Sequence, residues 1–165
     1  MLPIVIASQT VNVGLAGAAD GRARRGSLLA EAGIQAVPVN ETEPLPDIAL
    51  LFVAGLDIDV TRQLVDRAHA AGTLVNVEDV PELCDFHVPA IVRRGDLVLT
   101  ASTGGRAPGL ARRLREWLED RFGPEWDRRL HDMSSARAGW RAAGLPSREV
   151  AARTRDMITE KGWLQ

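Results

Sequence analysis

Apolar positions in this chain follow one rhythm up to about residue 80 and another beyond it. Residues 10–16, Thr-Val-Asn-Val-Gly-Leu-Ala, form an apolar run with β-branched members and predict a strand. Residues 22–32 carry helical spacing, with Leu28, Leu29 and Ala32 on one side and Gly33 as the stop. Residues 34–39 predict a second short strand, disturbed by Pro38, and the prolines and acids of 41–47 predict a loop. Residues 48–54 are apolar without a break, as expected of a strand covered on both faces. An amphipathic helix is expected over 57–71, with Val60, Leu64, Val65 and Ala68 inward and Gly72 ending it, before a fourth strand at 73–77. Strands alternating with helices in this order predict an α/β, Rossmann-like parallel sheet with crossover helices.

The pattern then changes. Residues 88–93 and 97–102 read as two short strands joined by Arg94-Gly95-Asp96, a hairpin signal. Residues 106–122 are strongly helical. Leu110, Leu114, Trp117 and Leu118 share a face, and Arg112–Glu116 and Arg115–Glu119 are pairs four residues apart on the other. Pro124 opens a further helix expected to reach Ala143. Gly144-Leu145-Pro146 breaks it, and Ser147 is expected to cap a last helix with Val150 in its first turn. The boundary between the two patterns is expected within residues 84–106.

Composition narrows the class. With 165 residues, 45% apolar and 25% charged, the chain is a globular mixture the size of one domain or one domain with a small appendage. A single cysteine, Cys84, excludes an internal disulfide and a four-cysteine zinc site. No run approaches the length that spans a bilayer, and the first residues carry no signal-peptide pattern, so no membrane association and a cytoplasmic setting are expected. The formal charge of −2 argues against a nucleic-acid partner. That charge is uneven: residues 1–100 carry −6 and residues 101–165 carry +4, and all basic residues but Lys161 are arginine. Codon bias accounts for such a preference; an anionic ligand on the second half would use it, because guanidinium groups bind carboxylates as a planar fork.

Three places carry candidate chemistry. The first turn, Gly17-Ala18-Ala19-Asp20-Gly21-Arg22, lies where dinucleotide pyrophosphates meet a helix N-terminus, although only Gly17 fits the glycine template there. Asn40 and Glu41 follow the second strand, where an acid can hold ribose hydroxyls. Asp79 follows the fourth strand, at the sheet end where ligands bind, and is placed either for acid–base work or merely to cap a turn before Pro81. Ser102-Thr103-Gly104-Gly105-Arg106, between a strand and a helix, has the composition of an anion-binding loop or of a plain connection.

A family resemblance draws these together. Leu2-Pro3-Ile4, Leu28-Leu29 before Ala32-Gly33, Leu74-Val75-Asn76-Val77 with Asp79, Pro81-Glu82-Leu83-Cys84-Asp85-Phe86, Pro89-Ala90-Ile91-Val92-Arg93-Arg94-Gly95-Asp96, and Ser102-Thr103-Gly104-Gly105 through Leu110-Ala111-Arg112-Arg113-Leu114-Arg115 resemble the siroheme synthase N-terminal family. Its members are precorrin-2 dehydrogenases and sirohydrochlorin ferrochelatases. The resemblance implies an NAD-binding Rossmann-like domain over residues 1–86, a dimerisation region over 87–143 and a C-terminal helical module over 144–165, in a homodimer. It implies that NAD accepts a hydride from precorrin-2, and that Fe²⁺ enters the resulting tetrapyrrole as a substrate, with no resident metal ligands. By the same resemblance Asp79 is the catalytic base, and Gly17, Ala18, Ala19, Asp20, Gly21, Asn40, Glu41 and Gly55 bind the cofactor. Ser102, Thr103, Gly104, Gly105 and Arg106 then line the tetrapyrrole site, and a separate uroporphyrinogen methyltransferase is a candidate partner. The family's G-G-G-x-V-A-x-R-K loop is altered here to Gly17-Ala18-Ala19-Asp20-Gly21-Arg22-Ala23-Arg24-Arg25, and its Ala-Thr-Asp after the third strand to Ala54-Gly55-Leu56. Two further readings therefore stand beside the enzyme: a chelatase without oxidation, and a non-catalytic tetrapyrrole-binding relative.

Overall fold

The computed structural model describes residues 2–164, in two compact units that meet in the chain between Val88 and Pro89. In the first unit the strands are β1 (Val13–Gly17), β2 (Val37–Pro38), β3 (Leu50–Ala54) and β4 (Leu74–Val77). All pair in parallel, in the order β2-β1-β3-β4. Helices α1 (Ala19–Glu31) and α2 (Ile58–Ala70) are the crossovers. The chain leaves β1 toward β2 on one side and returns to β3 on the other, so a topological switch lies between β1 and β3.

Each face of the sheet has its own apolar layer. On one side Leu51, Val53, Val75 and Val77 pack with Leu64, Val65 and Ala68 of α2; on the other Val13, Leu15, Leu50 and Phe52 pack with Leu29 of α1. This double burial is why β3 reads as an unbroken apolar run. Asp57 caps α2, its carboxylate accepting the Asp59 N–H at 2.9 Å.

Several expectations shift. β2 holds two residues rather than six, because Pro38 has no N–H to donate to a ladder. Val60, expected inward, is 38% exposed, because it lies at the flank of the face that buries Thr61, Leu64, Val65 and Ala68. α1 begins at Ala19, three residues earlier than the spacing suggests, so residues 19–22 belong to its first turn. Its missing signal is a polar cap: Ala18 occupies the N-cap with no side-chain bond.

The second unit pairs β5 (Ala90–Arg94) with β6 (Leu97–Ala101) as an antiparallel hairpin, followed by α3 (Pro108–Arg121), α4 (Glu125–Ala142) and α5 (Ser147–Glu160). Gly95 turns the hairpin at φ 57°, and a Cβ there would overlap the Asp127 carboxylate of α4. Arg94 donates to the Phe122 and Glu119 carbonyls at 2.7 and 3.3 Å, satisfying the last turn of α3. Phe122 meets Trp126 at a tilt and Trp126 meets Trp163 edge-on, with Arg129 over the Trp126 ring, so these tryptophans anchor helices. Pro146, not Ser147, takes the N-cap of α5: its ψ of 150° already supplies the extended entry, and Ser147 becomes the first helical residue.

Candidate functional site

The carboxyl ends of β1, β3 and β4 lie side by side, and the loops that follow them carry most of the candidates in the first unit. The carbonyl oxygen of Ala54, at the end of β3, organises this edge. It accepts the Ala18 N–H at 3.1 Å. A Cβ on Gly17, whose φ is 144°, would overlap it, and one on Gly21 would lie 2.7 Å away. These two glycines therefore permit close approach of β1 and α1 to β3. Gly21 is buried toward β3, so its part in any site is its backbone.

Ala18, Ala19 and Asp20 are exposed. The first bond of α1 runs from Arg22 N–H to the Ala18 carbonyl at 2.9 Å, leaving the amides of 19–21 as first-turn donors of the kind that bind pyrophosphate. Ala18 and Ala19 present only methyl groups beside them, although Ala19 stands where the glycine template carries no side chain. Asp20 is a further departure, since its carboxylate occupies the positive end of the helix. Gly55, at φ 70°, would bring a Cβ within 3.4 Å of the Ala18 methyl, so the third loop abuts the first. Beyond β2, Asn40 is engaged locally: its oxygen accepts from Thr42 N–H and Oγ1 at 2.9 Å each, and its Nδ2 donates to Glu43 at 3.0 Å. Arg67 donates to the backbone carbonyls of Glu41 and Glu43, fixing the loop and leaving the Glu41 carboxylate as its candidate for ribose.

Asp79 follows β4, exposed, with φ 60°; among the described residues it is the one non-glycine at positive φ. Asp tolerates this left-handed geometry better than most residues. The loop carrying it is tied at both ends. Before it, Glu78 N–H donates to the Val53 carbonyl at 2.9 Å. After it, residues 84–86 lace back along β4: Val77 N–H donates to Cys84 Sγ at 3.2 Å, and Val75 N–H to Asp85 Oδ2 at 2.7 Å. Asp85 N–H donates to the Val75 carbonyl at 2.8 Å and Asn76 Nδ2 to the Phe86 carbonyl at 2.9 Å. His69 Nε2 meets Asp85 Oδ2 at 2.9 Å. The sequence from Asn76 to Phe86 is thus a frame for Asp79. Burial pushes the Cys84 thiol above its ordinary value, an inert setting for a thiol.

One contact escaped the sequence reading. Glu78 pairs with Arg24 Nη2 of α1 at 2.8 Å and with Arg25 Nε at 3.5 Å. The Arg24-Arg25 pair was visible; its partner, 53 or 54 positions away, was not.

In the second unit, residues 102–106 form an ordered loop. Ser102 Oγ accepts the Gly104 N–H and Thr103 Oγ1 the Ala107 N–H, both at 3.2 Å, while Gly104 and Gly105 take φ 64° and 75°. A Cβ at Gly105 would meet nothing within 4 Å, and Arg106 is exposed. Arg112 pairs with Glu116 as the spacing predicts, and Arg113 joins the same carboxylate. Both donate to Glu116, at 3.2 and 3.0 Å, and Arg113 first, then Arg112, holds that carboxyl below its usual range. Among the described residues no group of three or more His, Cys, Asp or Glu side chains is gathered to hold a metal, and no helix is long and apolar enough to cross a membrane.

A parallel sheet wound on both faces, with close-approach glycines at its switch point, defines a Rossmann-like dinucleotide-binding domain. The comparisons agree. Residues 4–90, more than half of the chain, match the family described as "Putative NAD(P)-binding". Siroheme synthase from Methylobacillus flagellatus is 44% identical over 81 residues, which are 49% of this chain and 17% of that protein. Siroheme synthase from Nitrosococcus oceani is 41% identical over 85 residues, 52% of this chain and 18% of that protein. The matched segments thus span under a fifth of these relatives. The solved structure of SirC, a precorrin-2 dehydrogenase, shares the fold with a TM-score of 0.75 over 100% of this chain and 93% of that one, at 18% identity. The chain belongs to the family described as putative NAD(P)-binding, and over about half of its length it is similar to siroheme synthases.

Proposed function

We propose that this chain acts in siroheme biosynthesis as an NAD-dependent precorrin-2 dehydrogenase, and that it inserts Fe²⁺ into the sirohydrochlorin it makes. The observation that carries this reading is the Asp79 carboxylate, exposed and framed at the carboxyl end of β4, on the same sheet edge as the first turn of α1. NAD, when bound, supplies the hydride acceptor. The amides of 19–21 would hold its pyrophosphate and Glu41 its ribose. Asp79 would take the proton that the substrate loses on oxidation to sirohydrochlorin and release it to water as H⁺. In chelation the same carboxylate takes up pyrrole protons as Fe²⁺ replaces two of them. Arg106 and the loop at 102–105 would receive the substrate's carboxylates. A homodimer and a separate uroporphyrinogen methyltransferase supplying precorrin-2, in the cytoplasm, complete the proposal.

The test is NADH formation from precorrin-2 and NAD⁺, followed at the nicotinamide absorbance, in wild type and Asp79→Asn. A wild-type protein with no turnover defeats the dehydrogenase. Sirohydrochlorin and Fe²⁺ without NAD⁺ test the second reaction separately.

A second reading has its own observation. Asp20 places a negative charge where the pyrophosphate would lie, which favours a chelatase or tetrapyrrole carrier that does not use NAD. Calorimetric titration with NAD⁺ separates the two.

A further inference from the structure

The clamp between Glu78 and α1 is unused by the chemistry above, yet it adjoins the residue on which that chemistry depends. Asp79 takes a backbone conformation costly for a residue with a Cβ, so its surroundings must hold it there. Lacing along β4 fixes the far side of its loop. On the near side the Glu78 side chain adds to the backbone bond with Val53: it is only 16% exposed and is gripped from α1 by Arg24 at 2.8 Å and Arg25 at 3.5 Å. We propose that Glu78, held by Arg24 and Arg25, is a positioning residue for Asp79, fixing its left-handed backbone and keeping the Arg24 guanidinium from pairing with its carboxylate.

The second part of the role follows from charge. Arg24 feels Glu78 most strongly and, more weakly, Asp20 and Asp79. With Glu78 neutral, Asp79 becomes a carboxylate toward which this arginine can turn. A base paired to a guanidinium binds protons poorly. Arg25 adds to the constraint: its buried Nε has no hydrogen-bond acceptor and depends on the longer ion contact with Glu78. The residues also join two parts of the site, since Arg24 and Arg25 lie less than two turns from the first-turn amides on the same helix.

This inference rests on Asp79 being the base, so its test has one arm that needs turnover and one that does not. In Glu78→Gln, kcat for precorrin-2 oxidation is expected to fall by about tenfold to a hundredfold, the effect of a displaced catalytic group. KM for NAD⁺ is expected to stay within about twofold of wild type, because the pyrophosphate donors are untouched. In the double variant with Asp79→Asn, Glu78→Gln is expected to add nothing, since it acts through the lost carboxylate. Unchanged kcat in Glu78→Gln, or a double variant slowed by the product of the two single effects, overturns the proposal. Amide exchange provides the second arm: the amides of residues 79, 80, 82 and 83 are expected to exchange several-fold faster in Glu78→Gln, with β1 and β3 unchanged. Unchanged exchange at those amides overturns it equally. Should Glu78→Gln unfold, Arg24→Gln opens the same clamp from the other side and is held to the same criteria. An inactive wild type would refute the enzyme reading, and exchange alone would then decide the clamp.

Discussion

Asp79 combines two demands that substitution can separate. Asparagine keeps the tolerance for positive φ and removes the charge; alanine removes both. Asp79→Asn is therefore expected to slow turnover by roughly 10²–10⁴-fold, the contribution of a general base, with a melting temperature close to wild type. Asp79→Ala should in addition cost roughly 1 kcal/mol of stability, read in a denaturant titration. Gly17 tests the opposite kind of position. Gly17→Ala meets the Ala54 carbonyl with no flexible atom to yield, and is expected to destabilise by more than about 3 kcal/mol. Asp20→Asn removes the carboxylate from the helix end and is expected to tighten NAD⁺ binding severalfold by calorimetry, about 1 kcal/mol of helix-end electrostatics. Cys84 has a folded-state thiol pKa raised by burial. Its contribution to stability is complete below the ordinary thiol range, near 8.5, and is lost as pH rises through the folded value. A Cys84→Ala variant should show a shallower loss of stability in that alkaline window.

Elements were legible where one local cause dominates. The unbroken apolar run of β3, the Asp57 cap of α2 and the glycine-turned hairpin of β5 and β6 each declare themselves within a few residues. β2 and the start of α1 did not, because Pro38 interrupts a ladder and Ala18 gives no capping signal. At the site, Asp79 and the residues of the first turn could be named from the sequence, aided by the family resemblance. Their environment could not, since Glu78 with Arg24 and Cys84 with Val77 are contacts of the folded sheet. The packing of β3 also sets a quantitative expectation: Leu51 is fully buried beneath α2, and Leu51→Ala should cost roughly 2–5 kcal/mol in a denaturant titration.

For the molecule as a whole, the second unit leaves one feature without a use in the single chain. Leu110, Leu114 and Trp117 lie on α3 at helical spacing, exposed by 54%, 40% and 58%. In the homodimer proposed above, an apolar stripe of this spacing would suit a second copy better than water. Leu110→Ser with Trp117→Ser is then expected to shift the protein to a monomer in sedimentation, with helicity retained in circular dichroism. Dilution becomes a variable of the protein's chemistry if that stripe is what joins two copies. Heat resistance would climb with each tenfold rise in concentration, because association draws the folded form out of the unfolding equilibrium. A scarce protein in a cell would melt earlier than an abundant one with the identical sequence.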